Sequence, residues 1–187
     1  MNVYDARVQY TRKVIENSFL KLLKEKPVSR ITVTELCSDA GINRATFYKH
    51  YPDIQALLES LENQILDRLK ALWDEIPKGD IQQMILQMLR YTKEYGDRYF
   101  ALASENGDPD FFAKMFLQSY QNAYPMLEKQ VKSLPPERLE LAYRFLSHGC
   151  GSILTGWYQK GMKTPPEELA RLIADLSGGA VQGVIGV

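Results

Sequence analysis

Between Asn43 and His50 the sequence reads N-R-A-T-F-Y-K-H. Asn43, Arg44, Thr46, Tyr48, Lys49 and His50 all carry hydrogen-bond donors, packed into little more than two turns of a helix. An arginine fork matches the paired acceptors on a guanine edge. Thr46 offers a hydroxyl for a phosphate and a methyl for a thymine. Tyr48 and Lys49 suit phosphate oxygens. Asn43 at a helix start would leave free amides beside a phosphate as well. Thr34, nine residues before Asn43, is placed to reach the same backbone.

Those side chains need a frame, and residues 32–51 supply one. Thr32 and Glu35 have the spacing of a capping box, which starts a short helix. Ala40-Gly41-Ile42 breaks it, with Gly41 suited to a positive φ and Ile42 to plugging the core. Asn43 is a good N-cap for the next short helix, through about His50, whose apolar positions are Ala45, Phe47 and Tyr51. Helix, glycine turn, helix is the pattern of a helix-turn-helix. The pattern alone also fits a helical hairpin with a solvated face.

Charge agrees with the first reading. Residues 1–50 hold nine Lys/Arg against five Asp/Glu, a surplus of +4. The remainder holds fourteen against eighteen, so the chain of 187 residues is neutral overall. A basic quarter on an acidic remainder points to a polyanion partner for the first part only.

The remaining periodicity is helical throughout, and no alternating strand pattern competes. Val8, Ile15, Phe19, Leu22 and Leu23 mark a first helix over 4–25. A long fourth helix over 53–76 carries Leu57, Leu58, Leu61, Ile65, Leu69 and Trp73. A fifth follows Asp80 as N-cap and reaches Tyr95, and a separate sixth segment covers Asp97 to Glu105. A seventh spans Phe112 to about Ser133. An eighth runs from Pro135-Pro136 to about Gly161, and a ninth opens at Pro165-Pro166. Whether Ser177–Val187 stays helical is open. The expectation is an all-α chain of about nine helices: a DNA-binding domain over 1–53 and a helical effector-binding and dimerisation domain over 54–187.

The stretch T-V-T-E-L-C-S-D-A-G-I-N-R-A-T-F-Y-K-H-Y resembles the amino-terminal domain of the TetR/AcrR family of transcriptional regulators. Ala40-Gly41-Ile42 and Ala45 through Tyr51 carry the likeness. Tyr99-Phe100-Ala101-Leu102, Glu105 through Phe111, and the run through Trp157 to Met162 are similar to a dihydroxyacetone-kinase activator-like subgroup. The resemblance implies an all-helical homodimer that usually represses transcription from a near-palindromic operator. It implies that Thr46 and Tyr48 touch phosphates and that Asn43, Arg44, Ala45, Lys49 and His50 lie at the DNA face, with Thr34 nearby. Ala45 stands where the family often has Gly, and Ile54 where a Lys is common.

An apolar stripe on each of the last two long helices fits a twofold interface, with Gly149, Gly151, Gly156, Gly179 and Gly183 allowing close approach. Met84, Met88, Tyr91, Phe100, Phe116, Tyr120, Tyr143, His148 and Trp157 can line a small-molecule effector cavity; such side chains at helical spacing equally form plain core.

No cofactor or metal is expected: Cys37 and Cys150 form no CxxC and lack a His at ligand spacing. A nucleophile elbow, a phosphate-binding glycine loop and an HExxH are all absent, so the chain does not read as an enzyme. It lacks a membrane-spanning apolar run and begins without a signal-peptide core, which fits a cytoplasmic protein. A metabolite- or protein-binding co-regulator with weak or no DNA binding is the alternative that the acidic remainder supports.

Overall fold

A computed structural model describes residues 3–77, 80–115, 117–118 and 135–185, without the side chains of 3–5, 136, 139, 143, 184 and 185. Among the described residues the regular structure is helical. The elements are α1 (Val3–Glu25), a 3-10 turn (Val28–Arg30), α2 (Val33–Ala40), α3 (Arg44–Tyr48), α4 (Ile54–Asp74), α5 (Ile81–Leu102), α6 (Pro136–Gln159) and α7 (Pro166–Ile185). Further helical residues lie at 111–115 and 117–118. Phe116 and Tyr120 fall outside the described residues, as does the side chain of Tyr143.

The chain divides into two compact units. One comprises Met1–Ile65 with Asp97–Pro109, and the other Leu66–Gly96 with Asp110–Val187. The dividing points fall within α4 and within α5, so each of these helices contributes to both units.

In the first unit, α1 turns one stripe inward. Ile15, Phe19 and Leu23 are fully buried, as are Leu36, Phe47, Leu57, Leu61, Tyr99 and Leu102 from the other elements. Each such side chain stabilises by about 1.5–3 kcal/mol, before the ordering entropy is subtracted. Helix α1 packs on α2, and α2 on α3. Residues 97–109 fasten onto the end of α1 through Asn106. Past α5 the chain folds back tightly: Asp108 N donates to Leu102 O at 2.7 Å, and a Cβ on Gly107 would sit 2.2 Å from Leu102 O.

In the second unit, Leu69, Leu89, Phe111 and Ala170 are fully buried, and Ile173 nearly so. The Trp73 indole donates to Met84 O at 3.1 Å, and the Trp157 indole to Thr164 O at 2.9 Å. Arg90 pairs with Glu167 at 2.8 Å and holds its carboxyl below the usual range. Helices α6 and α7 pack on each other.

The expected break between the fifth helix and the sixth segment falls at Tyr95 (φ −121°, ψ 18°), where the backbone leaves helical angles within α5. Helical backbone resumes after that residue, so α5 is two helical stretches joined at a kink. The glycine-rich tail, left open above, is helical to Ile185.

Candidate nucleic-acid interface

The frame around residues 32–51 is held by local hydrogen bonds. Thr32 Oγ1 accepts from Glu35 N at 3.2 Å and caps α2. The Glu35 carboxylate does not complete the expected capping box; it pairs with Lys26 Nζ. A charge-assisted bond to an ammonium outcompetes one to a neutral amide. Gly41 adopts the left-handed conformation (φ 63°), and Ile42 N closes the turn onto Cys37 O at 3.0 Å. Asn43 Oδ1 accepts from Thr46 N at 2.8 Å and from Thr46 Oγ1 at 3.0 Å, capping α3.

That frame sorts the side chains. Phe47 and Tyr51 point inward and are buried. Thr34, Asn43, Arg44, Ala45, Tyr48 and Lys49 are exposed, while Thr46 and His50 are half-buried. Arg44 lies over the Tyr48 ring, 5.9 Å from its centroid, with Nη2 donating to the phenol oxygen at 3.4 Å. The two side chains of this pair are one helical turn apart and present a guanidinium plane beside a hydroxyl. Burial, then the positive charges of Arg12 and Lys49, lower the His50 pKa. Burial raises the Cys37 thiol, which suits a packing role.

Beneath α3 lie polar residues that the motif did not announce. Tyr51 donates to Glu16 Oε1 at 3.2 Å, and the Arg12 guanidinium lies over the Tyr51 ring at 5.7 Å. Gln64 and Arg98 bind the same Glu16. Arg98 is 82 residues from Glu16, so no local spacing signals the contact.

The expected effector residues are dispersed. Met84, Met88 and Tyr91 share one face of α5 in the second unit, with Met84 buried and the other two half-buried. Trp157 is buried in the same unit. Phe100, half-buried, belongs to the first unit. His148 is exposed, and its Nδ1 lies 3.0 Å from Arg144 O on its own helix. Sequence reasoning missed Thr92 and Gln118 in the second unit. Thr92 Oγ1 and Gln118 Oε1 are buried without a hydrogen-bond partner. Among the described residues no group of His, Cys, Asp and Glu could hold a metal, and no helix is long and apolar enough to cross a membrane.

Two family models match this chain. Residues 20–61, which contain the helix-turn-helix, match bacterial regulatory proteins of the tetR family, and residues 79–179 match a transcriptional regulator C-terminal region of the same family. The chain belongs to the TetR family. Both matched regions are those of transcriptional regulators. The nucleoid occlusion factor SlmA of Shewanella baltica is 27% identical over 134 residues, covering 68% of this chain and 66% of that protein. The factor of the same name from Shewanella denitrificans is 31% identical over 88 residues, covering 44% of this chain and 45% of that protein. The chain thus spans less than two thirds of the length of either. A TetR transcriptional regulator from Streptococcus agalactiae has the same fold, with a TM-score of 0.67, 24% identity and coverage of 94% of this chain and 97% of that one. So does the dihydroxyacetone kinase operon activator DhaS, with a TM-score of 0.59, 20% identity and coverage of 92% and 96%.

Proposed function

We propose that this TetR-family regulator is a cytoplasmic homodimer that represses transcription by inserting α3 into the major groove of a near-palindromic operator. The row of exposed Arg44, Tyr48 and Lys49 with half-buried Thr46, on a capped, inward-anchored α3, carries this reading. Arg44 reads a guanine edge from its perch on Tyr48, and Thr46, Tyr48 and Lys49 hold phosphates. Asn43, Ala45 and His50 border the same face, and Thr34 reaches the backbone from α2. The amino-terminal domain over 1–53 does the reading, and the remainder binds the effector and the second protomer.

The dimer reading is supported by apolar side chains on α6 and α7. Leu141 (67% exposed), Phe145 (69%), Leu172 (51%) and Leu176 (64%) face outward in the single chain. Two such helices meeting their twofold copies make a four-helix interface and set the spacing of the two α3 helices. The effector is a small, largely apolar molecule. Thr92 and Gln118, whose buried oxygens lack partners, are its polar handles, and Met84, Met88 and Tyr91 supply apolar surface.

The test is fluorescence anisotropy with DNA from beside the protein's own gene, across a salt series. Selective binding that weakens steeply with salt and is lost in Tyr48→Ala is expected. Binding no tighter than to random duplex and indifferent to Tyr48→Ala would favour a co-regulator acting through a metabolite or protein. The likeness to nucleoid occlusion factors supports a second reading, in which the chain is a nucleoid-associated regulator. Chromatin immunoprecipitation separates many sites from one operator.

A further inference from the structure

Glu16 lies on the inner side of α1 and is 7% exposed. Both its oxygens are used. Oε1 accepts from Tyr51 Oη at 3.2 Å and from Gln64 Nε2 at 3.0 Å, and Oε2 from Arg98 Nη2 at 3.3 Å. Arg98 Nη2 also donates to Gln64 Oε1 at 2.7 Å, which closes a ring of three side chains with Tyr51 attached. The four come from α1, the residue run just past α3, α4, and α5 beyond its kink.

We propose that Arg98 is a positioning residue for DNA reading, because it neutralises the Glu16 carboxylate that holds Tyr51 at the end of α3. The proposal rests on α3 being the reading helix. Three observations carry it. Tyr51 is the anchor of α3: its amide donates to Phe47 O at 3.0 Å, and its ring lies 6.0 Å from that of Phe47. Helix α3 has only five residues, too few to hold its own position without such an anchor. Finally, Arg98 sits in the cluster at a cost, since its Nε is buried and makes no hydrogen bond. Without Arg98 the buried carboxylate keeps the neutral donors of Tyr51 and Gln64 and the charge of the neighbouring Arg12, loses its one charged hydrogen-bond donor, draws in water, and no longer offers Tyr51 a fixed acceptor. Arg98 touches no DNA in this scheme; it acts through Glu16 and Tyr51.

A double-mutant cycle tests this. The probe is a fluorescein-labelled duplex enriched by the wild-type protein from a random pool. Arg98→Met and Tyr51→Phe should each weaken binding about tenfold with the salt slope unchanged, since no phosphate contact is lost. The double variant should bind no more weakly than the worse single one, and Arg98→Lys should recover part of the loss. Wild-type affinity in Arg98→Met overturns the proposal. So do losses that multiply in the double variant, or a salt slope reduced by about one, which would make Arg98 itself a phosphate contact. If circular dichroism shows that Arg98→Met does not fold, Arg98→Gln replaces it in the cycle with the same criteria. Tyr48→Ala separates the two readings. If it keeps full affinity, α3 is not the reading helix and both fall. If it loses binding while Arg98→Met does not, only the role of Arg98 falls.

Discussion

Asn106 and Leu23 are joined across 83 residues of sequence: Asn106 Nδ2 donates to Leu23 O at 3.0 Å. The Asn106 carbonyl in turn accepts from Val28 N at 2.7 Å. One residue thus satisfies a carbonyl in the last turn of α1 and an amide in the turn that follows. Asn106→Ala should lower unfolding free energy by about 1–2 kcal/mol, the cost of leaving a part-buried carbonyl unpaired. Urea titration followed by far-UV circular dichroism gives the number, and an unchanged midpoint would show that water replaces the amide.

Two glycines should respond differently to alanine. Gly41→Ala meets no neighbouring atom and carries only the left-handed backbone penalty, about 1–2 kcal/mol. Gly107→Ala forces a Cβ to within 2.2 Å of Leu102 O, so the loop must move. Its thermal midpoint should fall further than that of Gly41→Ala. The reverse order in a calorimetric comparison would refute the close approach.

Asn43 combines a structural and a proposed recognition role, and two substitutions separate them. Asn43→Ala removes the cap on α3 and should cost about 1 kcal/mol in stability as well as DNA affinity. Asn43→Asp keeps the acceptor for Thr46 but adds a negative charge beside the proposed phosphate. Stability should survive while affinity falls, and the comparison needs only a melt and an anisotropy curve for each protein.

His50 predicts a pH dependence. Its folded pKa lies below the ordinary 6.5, first through burial and then through Arg12 and Lys49. The unfolded chain therefore takes up this proton more readily than the folded one. The contribution to stability is complete above pH 6.5 and is lost as pH falls from there through the lower folded value. His50→Gln should flatten that part of the profile, with denaturation midpoints between pH 7.5 and 5.5 as the measurement.

Phe145 is 69% exposed, so it contributes little to the packing of a single chain. If the faces of α6 and α7 pair with a second copy, Phe145→Glu should leave helicity unchanged and halve the mass in sedimentation velocity. A dimer that persists would place the interface elsewhere.

What the sequence made legible was what is local. Thr32, Gly41, Asn43 and Asp80 take up their expected capping or turn geometry because each interaction spans only a few residues. Glu35 shows the limit, since a cation nine residues away claimed its carboxylate. Tyr95, the last residue of the expected fifth helix, is where the backbone of α5 breaks. For the candidate site, the exposed row on α3 follows from its caps and from Phe47. The Glu16 cluster does not, because Gln64 and Arg98 reach it from 48 and 82 residues away. His148 was readable as polar on an apolar helix, but only the fold turns it outward.

The chain has two tryptophans, Trp73 and Trp157, and both lie in the second unit, buried, with their indole N–H groups bound to carbonyls. The unit that carries α3 contains none. Intrinsic indole emission is therefore a one-sided reporter: it follows the second unit and is silent about the recognition face. An unfolding curve recorded by that emission will coincide with one recorded by backbone dichroism only if the two units melt together, so the protein carries its own optical assay of cooperativity.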